Sequence, residues 1–221
     1  MENNRNIFTY TLIILNLLFV ACNKTNTTNK IITNNIKSFN DDVNVIHLTS
    51  HFPKEITILN HFEKAPPSSD CFAQNGYVYL IQKKSIYKNE FDSVEHKIIY
   101  RTKYTDLDKK TIISFTNFKK NISIYKNCNK LIPNTIPIPN FETFDFNLGK
   151  SIIKEKGYYF TRNIFPNDLE VYVIDAKYGN FFKKKCDNKR PETLKEWKHG
   201  YSKGIAVSDK EDLIVFWTMI W

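Results

Sequence analysis

The chain has 221 residues, with 32 Lys and Arg against 23 Asp and Glu, for a net charge of +9 at pH 7. That length suits one domain, or at most two small ones, and a globular chain of this size buries roughly 70% of its unfolded surface, so a real core is expected. Only six glycines leave no Gly-rich phosphate loop, and no two cysteines lie close enough in sequence for a zinc site of the usual Cys-pair form.

The first element is the apolar run from Ile7 to Val20, interrupted by Thr9, Tyr10, Thr11 and Asn16. A bilayer-spanning helix needs roughly 20 predominantly apolar residues, and this run is shorter. Its length, its position and the single basic residue Arg5 before it fit the core of an export signal. The run ends in Leu18-Phe19-Val20-Ala21-Cys22, which resembles the lipobox of bacterial lipoproteins, with Phe19 where that family usually has Leu. The resemblance implies a signal peptide over residues 1–21, cleavage after Ala21 and a lipid on Cys22 that holds the chain to a membrane. Stable anchoring takes two or more acyl chains, at about 0.8 kcal/mol per buried methylene. The abundance of Asn, Lys, Ile and Tyr looks like that of a lipoprotein from the Bacteroidota. Surface-exported members usually carry an acidic cluster after the cysteine. Asn23-Lys24-Thr25-Asn26 has none, so the expected place is the cell envelope, as an outer-membrane lipoprotein facing the periplasm.

Residues 22–35 read as a flexible tether, since Ile31 and Ile32 are the only apolar side chains between Asn23 and Asn35. Residues 36–221 read as a single globular domain. Val43 to Thr49 alternates like a first strand. Residues 53–63 fit strand and helix equally, and Pro66 to Asp70 is a loop. Asn75-Gly76 turns into a strand from Tyr77 to Gln82. His96 to Tyr104 and Thr111 to Phe118 look like a hairpin. Pro133, Pro137 and Pro139 make an extended or edge segment. Lys156-Gly157 turns into Tyr158 to Arg162, and Pro166-Asn167-Asp168 turns into Leu169 to Lys177. Pro191 to His199 is the best helix candidate, with Pro at its start and Gly200 after its end. Ile205 to Ser208 and Leu213 to Trp221 form a hairpin. Its second strand is apolar on both faces and belongs at the centre of a sheet. The expected fold class is mainly β, an antiparallel sandwich or curled sheet with one or two short helices.

The candidate chemistry is sparse. His47 and His51 on a strand lie too far apart for one ion, so with His61 they read as surface or loop histidines and no metal site is expected. With Cys22 committed to lipid, Cys71, Cys128 and Cys186 leave one disulfide and one thiol in an oxidising compartment, and three pairings stay open. Ser69-Asp70-Cys71 loosely resembles the motif of cysteine-type cell-wall amidases, with His199 as base, but Phe72-Ala73 replaces the Ser-Gly of that family. Ser202 lacks the spacing of a nucleophile elbow, and Gly200 and Gly204 read as a helix stop and a turn. Lys183, Lys184, Lys185, Lys189 and Arg190 form the densest basic stretch, a patch for an anionic surface or else a solvated face.

The preferred reading is a lipid-anchored cell-envelope protein with a non-enzymatic binding domain, without cofactor and with no catalytic residue assigned. Its partners would be the membrane, through the lipid on Cys22, and an anionic lipid or a protein. Export argues against nucleic acid. One rival is an immunity-type protein that binds an incoming toxin in the periplasm. The other is an envelope cysteine hydrolase using Cys71 and His199.

Overall fold

The structure, a computed structural model, describes residues 29–41, 43, 45, 47–56, 61–65, 76–106, 112–113, 136–155, 157–182 and 199–221. In chain order its elements are α1 (residues 29–41), β1 (His61–Ala65), β2 (Gly76–Lys83), α2 (Lys88–Glu95), β3 (Tyr100–Lys103), β4 (Ile112–Ile113), β5 (Ile138–Pro139), β6 (Lys150–Glu155), β7 (Tyr158–Asn163), β8 (Glu170–Tyr178), β9 (Gly200–Ser208) and β10 (Leu213–Ile220). Short 3-10 turns occupy Tyr104–Asp106 and Phe141–Thr143.

The chain is mainly β, as its sequence indicates. Six strands form one open antiparallel sheet in the order β1-β2-β10-β9-β8-β3. β10 lies inside the sheet because both of its faces are apolar. Leu213, Val215, Trp217 and Met219 point to one side, where Ile138, Phe141, Phe144 and Phe146 cover them. Ile214, Phe216 and Ile220 point to the other, where Ile32, Ile36 and Phe39 of α1, Leu48 and Phe52, and Tyr87 and Val94 around α2 complete a second core. β3 makes a short edge carrying Arg101 and Lys103, and Arg101 pairs with Glu170 at 2.7 Å. Charges on a short edge strand discourage further strand pairing. β4 pairs with β5 in parallel, and β6 with β7 as a separate hairpin. Among the described residues no helix is long and apolar enough to cross a membrane.

Several local expectations are corrected. Residues 29–35, expected in the tether, are the first half of α1. Ile32, Ile36 and Phe39, spaced by four and three, share one helical face and bury it against the sheet. The described residues between 43 and 49 do not form the expected strand. Val43 makes an isolated bridge to Phe182, and residues 47–50 turn, with His47 in the left-handed region at φ 65°. Of the hairpin expected around residues 106–109, the described parts pair elsewhere, β3 with β8 and Ile112–Ile113 with β5, and the rest lies outside the described residues. Gly200 and Gly204 lie within β9, so Gly204 does not serve a turn.

α2 has no sequence signal of its own. It is eight residues long, Tyr87 gives it no side-chain cap, and it has no basic residue in its last turn. Isolated helices shorter than about 12–15 residues are marginal, so packing must hold it. Tyr87 and Val94 are buried, and the Phe91 ring meets the Tyr172 ring edge-on at 5.4 Å.

Candidate functional site

The site begins with one extra residue in β8. Val173 pairs with Gly204 and Asp175 pairs with Lys203, which leaves Ile174 as a β-bulge. Side chains alternate across a strand, so without the bulge Asp175 would follow Val171 and Val173 into the apolar core around Trp217. The bulge turns Asp175 to the opposite face, beside Ile174 and Lys203. Re-aiming a side chain in this way is a recurrent use of bulges.

The second wall is the turn at residues 47–52, held to the sheet by three hydrogen bonds. Lys203 Nζ donates to the His47 carbonyl at 3.1 Å. Thr218 Oγ1 donates to the Leu48 carbonyl at 3.0 Å. His51 Nε2 lies 3.0 Å from the Trp217 carbonyl, so the ring carries its proton on that nitrogen. The third wall is α2 with the turn after it, through Asn89, Glu90, Ser93 and Lys97. Together the walls enclose an open cleft of about 730 Å³. Phe52, Pro53, Val94 and Ile174 supply its apolar surface, and Lys54 and Glu55 stand on the side of the 47–56 segment.

The cleft is lined by three lysines, Lys54, Lys97 and Lys203, and three carboxylates, Glu55, Glu90 and Asp175. Lys203 is only 9% exposed. Burial pulls its ammonium below the usual lysine range, Asp175 opposes that pull and Lys97 adds to it. No carboxylate among the described residues comes within ion-pairing distance of Lys203. Asp175 accepts the Tyr201 hydroxyl at 2.8 Å, and burial together with that carboxylate pushes the Tyr201 phenol up. Burial, reinforced by the charge of Lys203, lowers His51 to about 3, so the ring is neutral. Its Nδ1 has no hydrogen-bond partner among the described residues.

A second cleft of about 490 Å³ lies on the far side of α2, lined by Lys84, Asp168, Glu170 and Asp209 among others. Several of its charges already have partners. Lys84 pairs with Asp209, Asp168 accepts from Ser208 at 2.6 Å and from the Lys210 amide at 3.0 Å, and Glu170 accepts from Tyr172 and Arg101. Lys103 and Lys210 also line it, but both are exposed and screened by solvent, whereas Lys203 of the first cleft is buried.

Most candidates read from sequence lie outside the described residues: Cys22, Cys71, Cys128, Cys186, Lys183, Lys184, Lys185, Lys189 and Arg190, and with them residues 191–198 of the expected helix. His199 is described, half-buried at the start of β9, where its carbonyl accepts the Gly179 amide at 2.8 Å. Ser202 is fully buried and donates to the Pro137 carbonyl at 2.7 Å. His51 is buried, not a surface residue, because the 47–52 turn folds it against β10. His61 lies 3.8 Å from Glu63, whose carboxylate also takes the Tyr77 and Tyr79 hydroxyls. No group of three or more His, Cys, Asp or Glu among the described residues is placed to hold a metal.

Sequence reasoning missed Lys203, Asp175 and Lys97. One signal was available: Tyr201, Lys203, Ile205 and Val207 share a strand face, and a lysine on an otherwise apolar face is worth a question. No family model, no curated protein and no solved structure matches the chain.

Proposed function

We propose that the protein is a lipid-anchored component of the bacterial cell envelope whose domain binds a small charged ligand in the cleft between α2, residues 47–56 and the β8–β9 pair. The anchor rests on the run from Ile7 to Cys22, and the basic stretch at Lys183–Lys185, Lys189 and Arg190 would add attraction to lipid phosphates at about 1 kcal/mol per residue near the surface. The binding role rests on a single observation, the buried ammonium of Lys203, which lines an open cleft and has no carboxylate paired with it among the described residues. Leaving a charge buried and unpaired is costly for a fold. A ligand bearing the opposite charge would offset that cost.

Metabolic labelling with a fatty acid tests the anchor. The label should appear in the wild type and vanish in Cys22→Ser, and equal labelling of both would refute it. Native mass spectrometry after incubation with a small-molecule envelope extract tests the cleft. An adduct on the wild type that Lys203→Met loses is expected, and identical spectra for the two proteins would refute the site.

A further inference from the structure

We infer that the ligand of this cleft is a short peptide with a free carboxyl terminus and a free amine, its carboxylate held by Lys203 and Lys97. This rests on the cleft being the ligand site. Three features define the chemistry. Lys203 has three N–H donors and spends one on the His47 carbonyl, leaving two for a ligand oxygen. Lys97 and Asp175 line the cleft with it, two cations against one anion in that part of a lining that Lys54, Glu55 and Glu90 make neutral overall. A carboxylate balances that part. A phosphate dianion would bring a surplus beside Asp175, whose carboxylate is already fixed by Tyr201.

The rest of the lining argues for a zwitterion over a simple organic acid. Beyond Lys203 the cleft carries Glu55 and Glu90, with Lys54 as the remaining cation. A ligand with an anion at one end alone would leave this part of the lining with one negative charge uncompensated. An ammonium at the other end offsets it. The cleft, at about 730 Å³, falls in the range of small-molecule sites and holds more than one amino acid. Phe52, Pro53, Val94 and Ile174 offer apolar contact for side chains between the two termini.

Calorimetric titration of the full chain in detergent micelles tests this with four probes: trialanine, trialanine amide, N-acetyl-trialanine and inorganic phosphate. Trialanine should bind. The amide, lacking the carboxylate, and the acetylated form, lacking the ammonium, should each bind about tenfold or more weakly, as expected for the loss of a charge-assisted contact. Phosphate should not compete. Lys203→Met should lose trialanine, and Lys97→Met, at a side chain that holds no wall in place, should weaken it while melting like the wild type, which separates a ligand contact from a structural one. Lys203→Arg, which keeps the charge, should retain part of the binding. Equal affinity for trialanine and its amide would overturn the proposal, as would displacement of trialanine by phosphate. If no peptide probe binds but the extract-derived adduct on Lys203 persists, the peptide class is wrong and the cleft reading stands. If both are absent, both fail.

Discussion

Trp217 of β10 and Gly204 of β9 are register partners, and the indole lies over the glycine so closely that a Cβ at position 204 would stand 2.8 Å from Trp217 Cζ2 and 2.1 Å from the Tyr172 carbonyl oxygen. The glycine is there for space, since it sits in a regular strand between two neighbours. Gly204→Ala should destabilise the fold by about 3 kcal/mol or more, above the ordinary range for overpacking, because one of the obstructing atoms is backbone. Urea denaturation checks this. Trimming the ring in the double variant Gly204→Ala with Trp217→Phe should recover little, since the Tyr172 carbonyl remains. Full recovery would mean that the ring alone sets the constraint.

Trp217 is 1% exposed and packs edge-on to Phe141 at 6.0 Å. Trp217→Ala should cost about 3–5 kcal/mol. Trp217→Phe should cost less. It keeps an aromatic ring and removes an indole N–H that has no partner among the described residues. Thermal unfolding of the two variants gives the order, and a reversed order would point to a hidden acceptor for the indole.

Gln82 lies on the face of β2 shared with Val78 and Leu80, fully buried, and neither amide atom has a partner among the described residues. A buried unsatisfied polar group costs about 1–3 kcal/mol. Gln82→Met, of similar length, should therefore stabilise the protein by about that amount. A lower urea midpoint for the variant would reject this account.

His51 gives the stability a pH dependence of known sign. Its folded value is near 3, against 6.5 for the free side chain. Between those values the unfolded chain binds a proton that the folded chain refuses. Stability is therefore complete above 6.5 and falls as the pH drops toward 3, at about 1.4 kcal/mol per pH unit, or about 2 kcal/mol by pH 5. Glu63 acts lower. His61, then the Tyr77 and Tyr79 hydroxyls, hold its carboxyl near 2, so its contribution is present above 4.5 and lost as the pH falls through 2. The window from pH 5 to 6.5 separates the two. His51→Gln keeps an N–H for the Trp217 carbonyl and should flatten stability in that window. An unchanged slope would assign it to other groups.

The local expectations held where a pattern carried its own explanation. β10 is legible because Leu213 to Ile220 is apolar on both faces, which suits only an inner strand, and the turn at residues 209–212 marks its hairpin with β9. β8 is legible from the turn at Asn167-Asp168 and the alternation after it. α2 is not legible, because an eight-residue helix without caps gains its stability from Phe91 and Val94 meeting strands far away in sequence. The strand partner of Tyr100–Lys103 is not legible either, since β3 crosses to β8 and the nearer segment joins β5.

By itself the sequence determined the β character, the central hairpin and the burial of Trp217, because these depend on short-range alternation and total apolar content. It also carries the run at Leu18–Cys22 that resembles a lipobox, on which the proposed anchor rests. Only the tertiary structure decided the cleft. A one-residue bulge at Ile174 sets which face Asp175 takes, and the turn at residues 47–52, reaching back across more than 150 residues, buries Lys203 and His51. Neither is visible in sequence, because a bulge shifts register without changing composition, and a lysine's burial depends on what the distant chain lays over it.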